Sequence, residues 1–141
     1  MKMKDSYTLK VAGLERQLPL CKVNDDLYIG AFIMFGDVEM TVNCAAELIQ
    51  LAPEHDIIVA AECKSIPLVH DMVRQMGGNN YIVARKSLKV YMENIITTDV
   101  NSITTANMQS LCLGENDVED IRGKRVLVVD DVISTGGSLA L

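Results

Sequence analysis

The chain has 141 residues, 49% of them apolar, which suits one ordinary core and leaves too little for two domains. Its net charge of -6 argues against broad nonspecific binding to nucleic acid, which relies on a basic surface, but leaves room for a small anionic ligand held by local cations, backbone amides or a metal ion. The opening MKMKDSYTLK lacks an apolar run of signal-peptide length, and no later stretch approaches the roughly 20 apolar residues that span a bilayer, so a soluble cytoplasmic protein is expected.

Tyr7 to Val11 alternates enough to predict a strand, and Leu27 to Phe35 reads as a second one bounded by Asp26 and Gly36. Asp37 is placed to cap a helix whose Val38, Val42, Ala45 and Ile49 recur at helical spacing before Pro53 closes it. Ile57 to Ala61 is short, branched and apolar on both faces, the pattern of a parallel strand covered on both sides. Ser65 is placed to cap a second helix, with Ile66, Val69, Val73 and Met76 as its stripe and Gly77-Gly78 as a left-handed stop. Tyr81 to Ala84 follows as a strand and completes a βαβ unit.

From Arg85 to Gly114 the sequence becomes rich in Thr and Asn, a mobile β-rich excursion in which Ile95 to Val100 and Met108 to Leu113 are expected to pair as a ribbon. A polar stretch, Glu115 to Lys124, leads into Arg125 to Val129, the clearest buried-strand pattern of the chain, which ends at Asp130-Asp131. The four cysteines, Cys21, Cys44, Cys63 and Cys112, form no CxxC pair or Cys/His cluster and are expected as small buried hydrophobes, and no zinc site is indicated. His55 reads as a loop residue and His70 as a helix-face residue.

The strongest chemical signal is VLVVDDVISTGGS, which sets Asp130 and Asp131 at the carboxyl end of a strand and a glycine- and hydroxyl-rich turn after them. Open α/β sheets bind ligands at that place. Gly136 and Gly137 allow backbone amides to point inward, and Ser134, Thr135 and Ser138 add hydroxyls, which together make a nest for a phosphate. Two acids beside a phosphate would repel it, so they are better suited to accept hydrogen bonds from sugar hydroxyls or to lie near hydrated magnesium. Neither GxxxxGK[ST] nor GxGxxG is present, which excludes a Walker-type loop and a dinucleotide fingerprint.

This segment resembles the signature of type I phosphoribosyltransferases, which exchange a base for pyrophosphate on phosphoribosyl diphosphate. VAAECKSIPLVHDMVRQMGG and YIVARKS are similar to the pyrophosphate-loop unit and the following strand of adenine- and xanthine-type members, with Cys63-Lys64-Ser65 where the adenine branch usually has Arg and Gly. The resemblance implies an α/β fold with a mainly parallel sheet flanked by helices, in a single domain over residues 1–141 that is C-terminally incomplete. It places Asp130 and Asp131 on the ribose hydroxyls, with magnesium held indirectly through water or substrate. Ser134, Thr135, Gly136, Gly137 and Ser138 would take the 5-phosphate, and Glu62, Cys63, Lys64, Arg85 and Lys86 the pyrophosphate. It further implies a purine base, with adenine favoured, a homodimer, and a contribution of Leu27 to Phe35 to the base pocket or the dimer surface. A non-catalytic module that binds phosphoribosyl diphosphate, or an inactive truncated paralogue, is the alternative.

Overall fold

A computed structural model of the chain describes residues 6–100, 109–134 and 136. The elements run β1 (Ser6–Val11), β2 (Leu14–Lys22), β3 (Tyr28–Gly30), α1 (Val38–Leu51), β4 (Ile57–Ala61), α2 (Ile66–Gln75), β5 (Ile82–Ala84), β6 (Ile96–Val100), β7 (Gln109–Leu113), α3 (Glu115–Ile121) and β8 (Val126–Val129). The architecture is α/β, with a parallel sheet of order β5-β4-β8 at its centre.

β4 organises this sheet because both of its faces are apolar. Ile58 and Ala60 join Leu68, Val69 and Met72 of α2 and Met40, Cys44 and Ala45 of α1 in one cluster. Ile57 and Val59 join Ile82 and Ala84 in a second cluster, covered by Leu111 and Leu113 of β7 and Ile121 of α3. Alternation along a strand sends successive side chains to opposite faces, so five residues seed both layers.

α1 begins as its sequence predicts. Asp37 accepts a hydrogen bond from the Met40 amide at 3.0 Å, and Arg16 of β2 grips the same carboxylate through Nε at 2.7 Å and Nη2 at 3.1 Å. One acid thus caps the helix and ties it to the antiparallel sheet β1-β2-β3. The Arg16 guanidinium holds the Asp37 carboxyl well below its usual range, at about 2. α2 ends at a left-handed Gly77, φ 74°, with the Gly78 amide bonded to the Val73 carbonyl.

Several expectations are corrected. β2 was not foreseen, although Leu14, Arg16, Leu18 and Leu20 alternate with more exposed neighbours. The strand expected over Leu27 to Phe35 is confined to Tyr28–Gly30, because the chain then turns to bury Met34 and to bond the Asp37 amide to the Met34 carbonyl. In α2 the buried stripe is Leu68, Val69, Met72 and Val73, while Met76 is exposed. Ser65 stands at the helix start, but its buried hydroxyl donates to the Ala61 carbonyl instead of capping an amide. α3 occupies the stretch read as a polar connector.

β8 departs most from its reading. Leu127 and Val129 pack into the α1/α2 cluster, whereas Val126 and Val128 are 37% and 47% exposed. The cause is placement: β7 and α3 cover the β4/β5 side of the second face and leave the β8 side open among the described residues. Of the cysteines, Cys44 and Cys112 are buried and Cys21 and Cys63 are exposed.

The expected ribbon is present, with β6 and β7 antiparallel from Ile96↔Leu113 to Val100↔Gln109. It is fastened to the central sheet by a bridge in which Arg85 and Cys112 exchange both backbone hydrogen bonds, at 2.9 and 2.8 Å.

Candidate active site at the carboxyl ends of the parallel strands

Parallel pairing puts the carboxyl ends of β4, β5 and β8 side by side. Val59↔Ile82 through Ala61↔Ala84 fixes one pair, and Ile57↔Val126 through Ala60↔Val129 fixes the other. The residues that follow are Glu62 after β4, Arg85 and Lys86 after β5, and Asp130 and Asp131 after β8. Because β5 and β8 flank β4 on opposite sides, the sheet changes its direction of winding here, and open α/β sheets form their ligand crevice at such a point.

Asp130 and Asp131 share a partly buried position. The Asp131 amide donates to Asp130 Oδ1 at 2.9 Å, yet Asp131 Oδ2 is buried and accepts no hydrogen bond from the described residues. Such an acceptor calls for an external donor, because a buried carboxylate oxygen left unsatisfied costs free energy. Burial, and the hydrogen bond between the two side chains, raise the Asp130 carboxyl above its ordinary value; the positive charge of Lys86 acts in the opposite sense. Vicinal hydroxyls of a sugar, or water around a cation, would satisfy this pair.

On the β4 and β5 side, the Glu62 amide continues the ladder to the Ala84 carbonyl at 2.9 Å. Glu62 Oε2 accepts from the Lys86 amide at 2.9 Å and lies 3.4 Å from Arg85 Nε. That second contact is an ion pair without hydrogen-bond alignment, since Arg85 Nε is buried with no hydrogen-bonded partner among the described residues. Cys63 and Lys64 are exposed at the β4–α2 turn, where the Glu62–Cys63 peptide is cis.

After β8, Ser134 is exposed and Gly136 adopts φ 77°, a left-handed conformation that glycine takes without steric cost. Thr135, Gly137 and Ser138, also assigned to the phosphate from the sequence, lie outside the described residues. The sequence reading had no signal for Arg16, which with Ala31, Phe32, Ile33 and Met40 lines a cavity of about 270 Å³ beside α1; part of that cavity falls in the Leu27 to Phe35 segment expected near the base.

No group of three or more His, Cys, Asp and Glu side chains gathers to hold a metal ion among the described residues. The Asp130-Asp131 pair, with its unpartnered oxygen, nevertheless fits magnesium, which is commonly held by one or two carboxylates plus water and substrate oxygens. Among the described residues no helix is long and apolar enough to cross a membrane.

Comparison with known proteins accords with this arrangement. The phosphoribosyl transferase domain family matches residues 41–141, and the chain belongs to that family. A curated relative, the orotate phosphoribosyltransferase of Methanopyrus kandleri, is 30% identical over 92 residues, which are 65% of this chain and 39% of that protein. The chain therefore spans well under half the length of the curated relative it matches. Among solved structures, the adenine phosphoribosyltransferase of Thermoanaerobacter pseudethanolicus superposes with a TM-score of 0.64 at 19% identity, covering 86% of this chain and 70% of that one. The shared fold is the type I phosphoribosyltransferase α/β sheet flanked by helices.

Proposed function

We propose that the chain binds phosphoribosyl diphosphate at the carboxyl ends of β4, β5 and β8 and transfers its phosphoribosyl group to a purine base, adenine in preference, releasing pyrophosphate. The observation that carries this reading is the convergence of a cationic pair, Arg85-Lys86, with a carboxylate pair, Asp130-Asp131, one of whose buried oxygens has no partner among the described residues. A ligand with a polyanionic group and vicinal hydroxyls on one ring matches both halves at once.

In this reading Asp130 and Asp131 accept hydrogen bonds from the ribose hydroxyls. The 5-phosphate sits on the turn of Ser134, Thr135, Gly136, Gly137 and Ser138, and the diphosphate on the Glu62-Cys63-Lys64 turn with Arg85 and Lys86. The bond from the anomeric carbon to the diphosphate oxygen breaks as the bond to the base nitrogen forms, through an oxocarbenium-like transition state, and the nitrogen's proton leaves with solvent. Carboxylates beneath the ribose favour the cationic sugar, and fixed cations favour the leaving diphosphate, so positioning and electrostatics suffice without a covalent intermediate. Magnesium, held by Asp130 and Asp131 through water or substrate, supplies charge neutralisation at the diphosphate when bound. The cavity walled by Phe32, Ile33 and Met40 suits a flat heterocycle.

A homodimer fits the exposed apolar side chains Phe35, Val38 and Leu51 of the α1 region. A cytoplasmic setting fits the exposed free thiols of Cys21 and Cys63. Orotate is a second reading for the base, supported by the identity of the curated relative.

Calorimetric titration with phosphoribosyl diphosphate and magnesium, followed by addition of adenine, guanine, xanthine or orotate with a pyrophosphate assay, tests the proposal. Saturable binding with pyrophosphate release on adenine supports it, release only on orotate moves the base to the second reading, and absence of binding overturns it.

A further inference from the structure

Glu62 poses a problem for any site that takes a diphosphate, because an ionised carboxylate beside a polyanion opposes binding. Its geometry turns the carboxylate toward other work. Oε2 accepts from the Lys86 amide at 2.9 Å and faces Arg85 Nε at 3.4 Å. The Arg85 backbone is meanwhile fixed on its other side by the two hydrogen bonds to Cys112, and Cys112 itself is 1% exposed. Arg85 is thus held at three points: by its own strand, by the β6–β7 ribbon through Cys112, and by Glu62 through the side chain. The Glu62 and Arg85 side chains are 21% and 31% exposed, so water competes for this contact less than at a fully open surface pair.

We infer that Glu62 is a positioning residue: it orients the Arg85 guanidinium and the Lys86 backbone so that the cations of this pair meet the diphosphate, and it makes no contact with the anion itself. The inference rests on the function proposed above. It assigns the three members of the turn different tasks, Cys63 and Lys64 facing the ligand and Glu62 facing the protein. The physical reason is that an arginine carries several rotatable bonds and binds an anion well only when its planar fork is oriented beforehand.

The sign of a charge-removing substitution separates this role from a bland one. Coulomb's law alone predicts that Glu62→Gln strengthens binding of a polyanion, since it deletes a negative charge from the neighbourhood. Positioning predicts the opposite. The Gln amide oxygen can still accept from the Lys86 amide, so the turn keeps its shape, while the ionic attraction that the same oxygen exerts on Arg85 is removed.

The experiment is calorimetric titration with inorganic pyrophosphate and magnesium of the unaltered chain, Glu62→Gln, Arg85→Ala and the double variant, with thermal unfolding of each. The expected result is affinity about threefold weaker for Glu62→Gln, the order of one partly exposed ion pair, and no further loss from Glu62→Gln once Arg85 is Ala. Equal or tighter binding by Glu62→Gln, or the same loss in the Arg85→Ala background, overturns the inference. If Glu62→Gln also lowers the unfolding midpoint, Arg85→Ala alone decides: it must weaken pyrophosphate by at least as much, and unaltered affinity there overturns the inference. Failure of the unaltered chain to bind either pyrophosphate or phosphoribosyl diphosphate is a separate outcome, which removes the proposed function and with it the ground for a positioning role.

Discussion

At the amino ends of β4 and β8, Arg125 donates to Asp56 through Nε at 3.1 Å and Nη2 at 2.9 Å and to Glu54 through Nη1, and its amide adds a third bond to Asp56 at 2.8 Å. At the carboxyl ends of the same two strands, Asp130 and Asp131 have no guanidinium bonded to them among the described residues, and one buried oxygen goes without any partner. The first end spends its charges on holding two parallel strands in register. The second keeps charged groups unneutralised, at a cost in folding free energy, which is the usual condition of a site that awaits a ligand. The titration behaviour divides the same way. Hydrogen bonds from Arg125 hold Asp56 down at about 2, whereas burial pushes Asp130 up.

The comparison breaks most sharply if the two ends respond alike to loss of charge. Asp130→Asn together with Asp131→Asn is expected to weaken phosphoribosyl diphosphate binding by about a hundredfold or more, as two charge-assisted acceptors are lost, each contributing roughly 1.5–3 kcal/mol. The unfolding midpoint should stay or rise. Unchanged affinity in a folded double variant would refute the site. Arg125→Ala should do the reverse, lowering the midpoint modestly, since the pair is solvent-exposed, while ligand affinity stays within about twofold.

Acid titration of stability sharpens the same contrast, because the two kinds of carboxylate have opposite signs. Asp37 and Asp56 are lowered from 3.8 to about 2. Their contribution is fully present above 3.8 and is lost as the pH falls through about 2. Asp130 is raised above 3.8, so the folded state holds its proton longer. The stability it adds is fully present below 3.8 and disappears as the pH rises through its folded value. Urea unfolding as a function of pH should therefore show an acid-side loss that Asp130→Asn leaves in place, and a decline above 3.8 that Asp130→Asn flattens. A parallel shift of the whole profile would contradict the assignment.

What the sequence made legible follows from how locally each feature is determined. β4 and the cap at Asp37 depend on a run of branched residues and on one side chain three residues from its amide, and both stand where they were read. The ribbon, too, was legible from its β-branched residues. β2 was obscured by Arg16, which sits on the buried face because Asp37, 21 residues away, satisfies it. β8 was read as a buried strand from four branched or apolar residues in a row, but burial depends on what covers each face, and α3 lies over the neighbouring strands instead. The two acids and the glycine- and hydroxyl-rich turn proposed for the phosphate stand in the sequence as a contiguous motif. The link from Glu62 to Arg85 and Lys86 spans 24 residues and arises only from strand pairing, which no local pattern records.

The smallest expected effect lies at Gly136, where conformation can be separated from contact. A Cβ placed there would meet no atom of the described residues within 4 Å, so the penalty expected of Gly136→Ala comes from the backbone at φ 77°. The left-handed region costs a non-glycine residue about 1–2 kcal/mol. In a loop this short, the strain is relieved by letting the turn relax. Phosphoribosyl diphosphate affinity should then fall about five- to tenfold with the unfolding midpoint nearly unchanged. Asn tolerates this region better than Ala, so Gly136→Asn should lose less. If Ala and Asn were equivalent, a left-handed Gly136 would not be what the ligand requires, and binding at this turn would rest on side-chain hydroxyls such as that of Ser134.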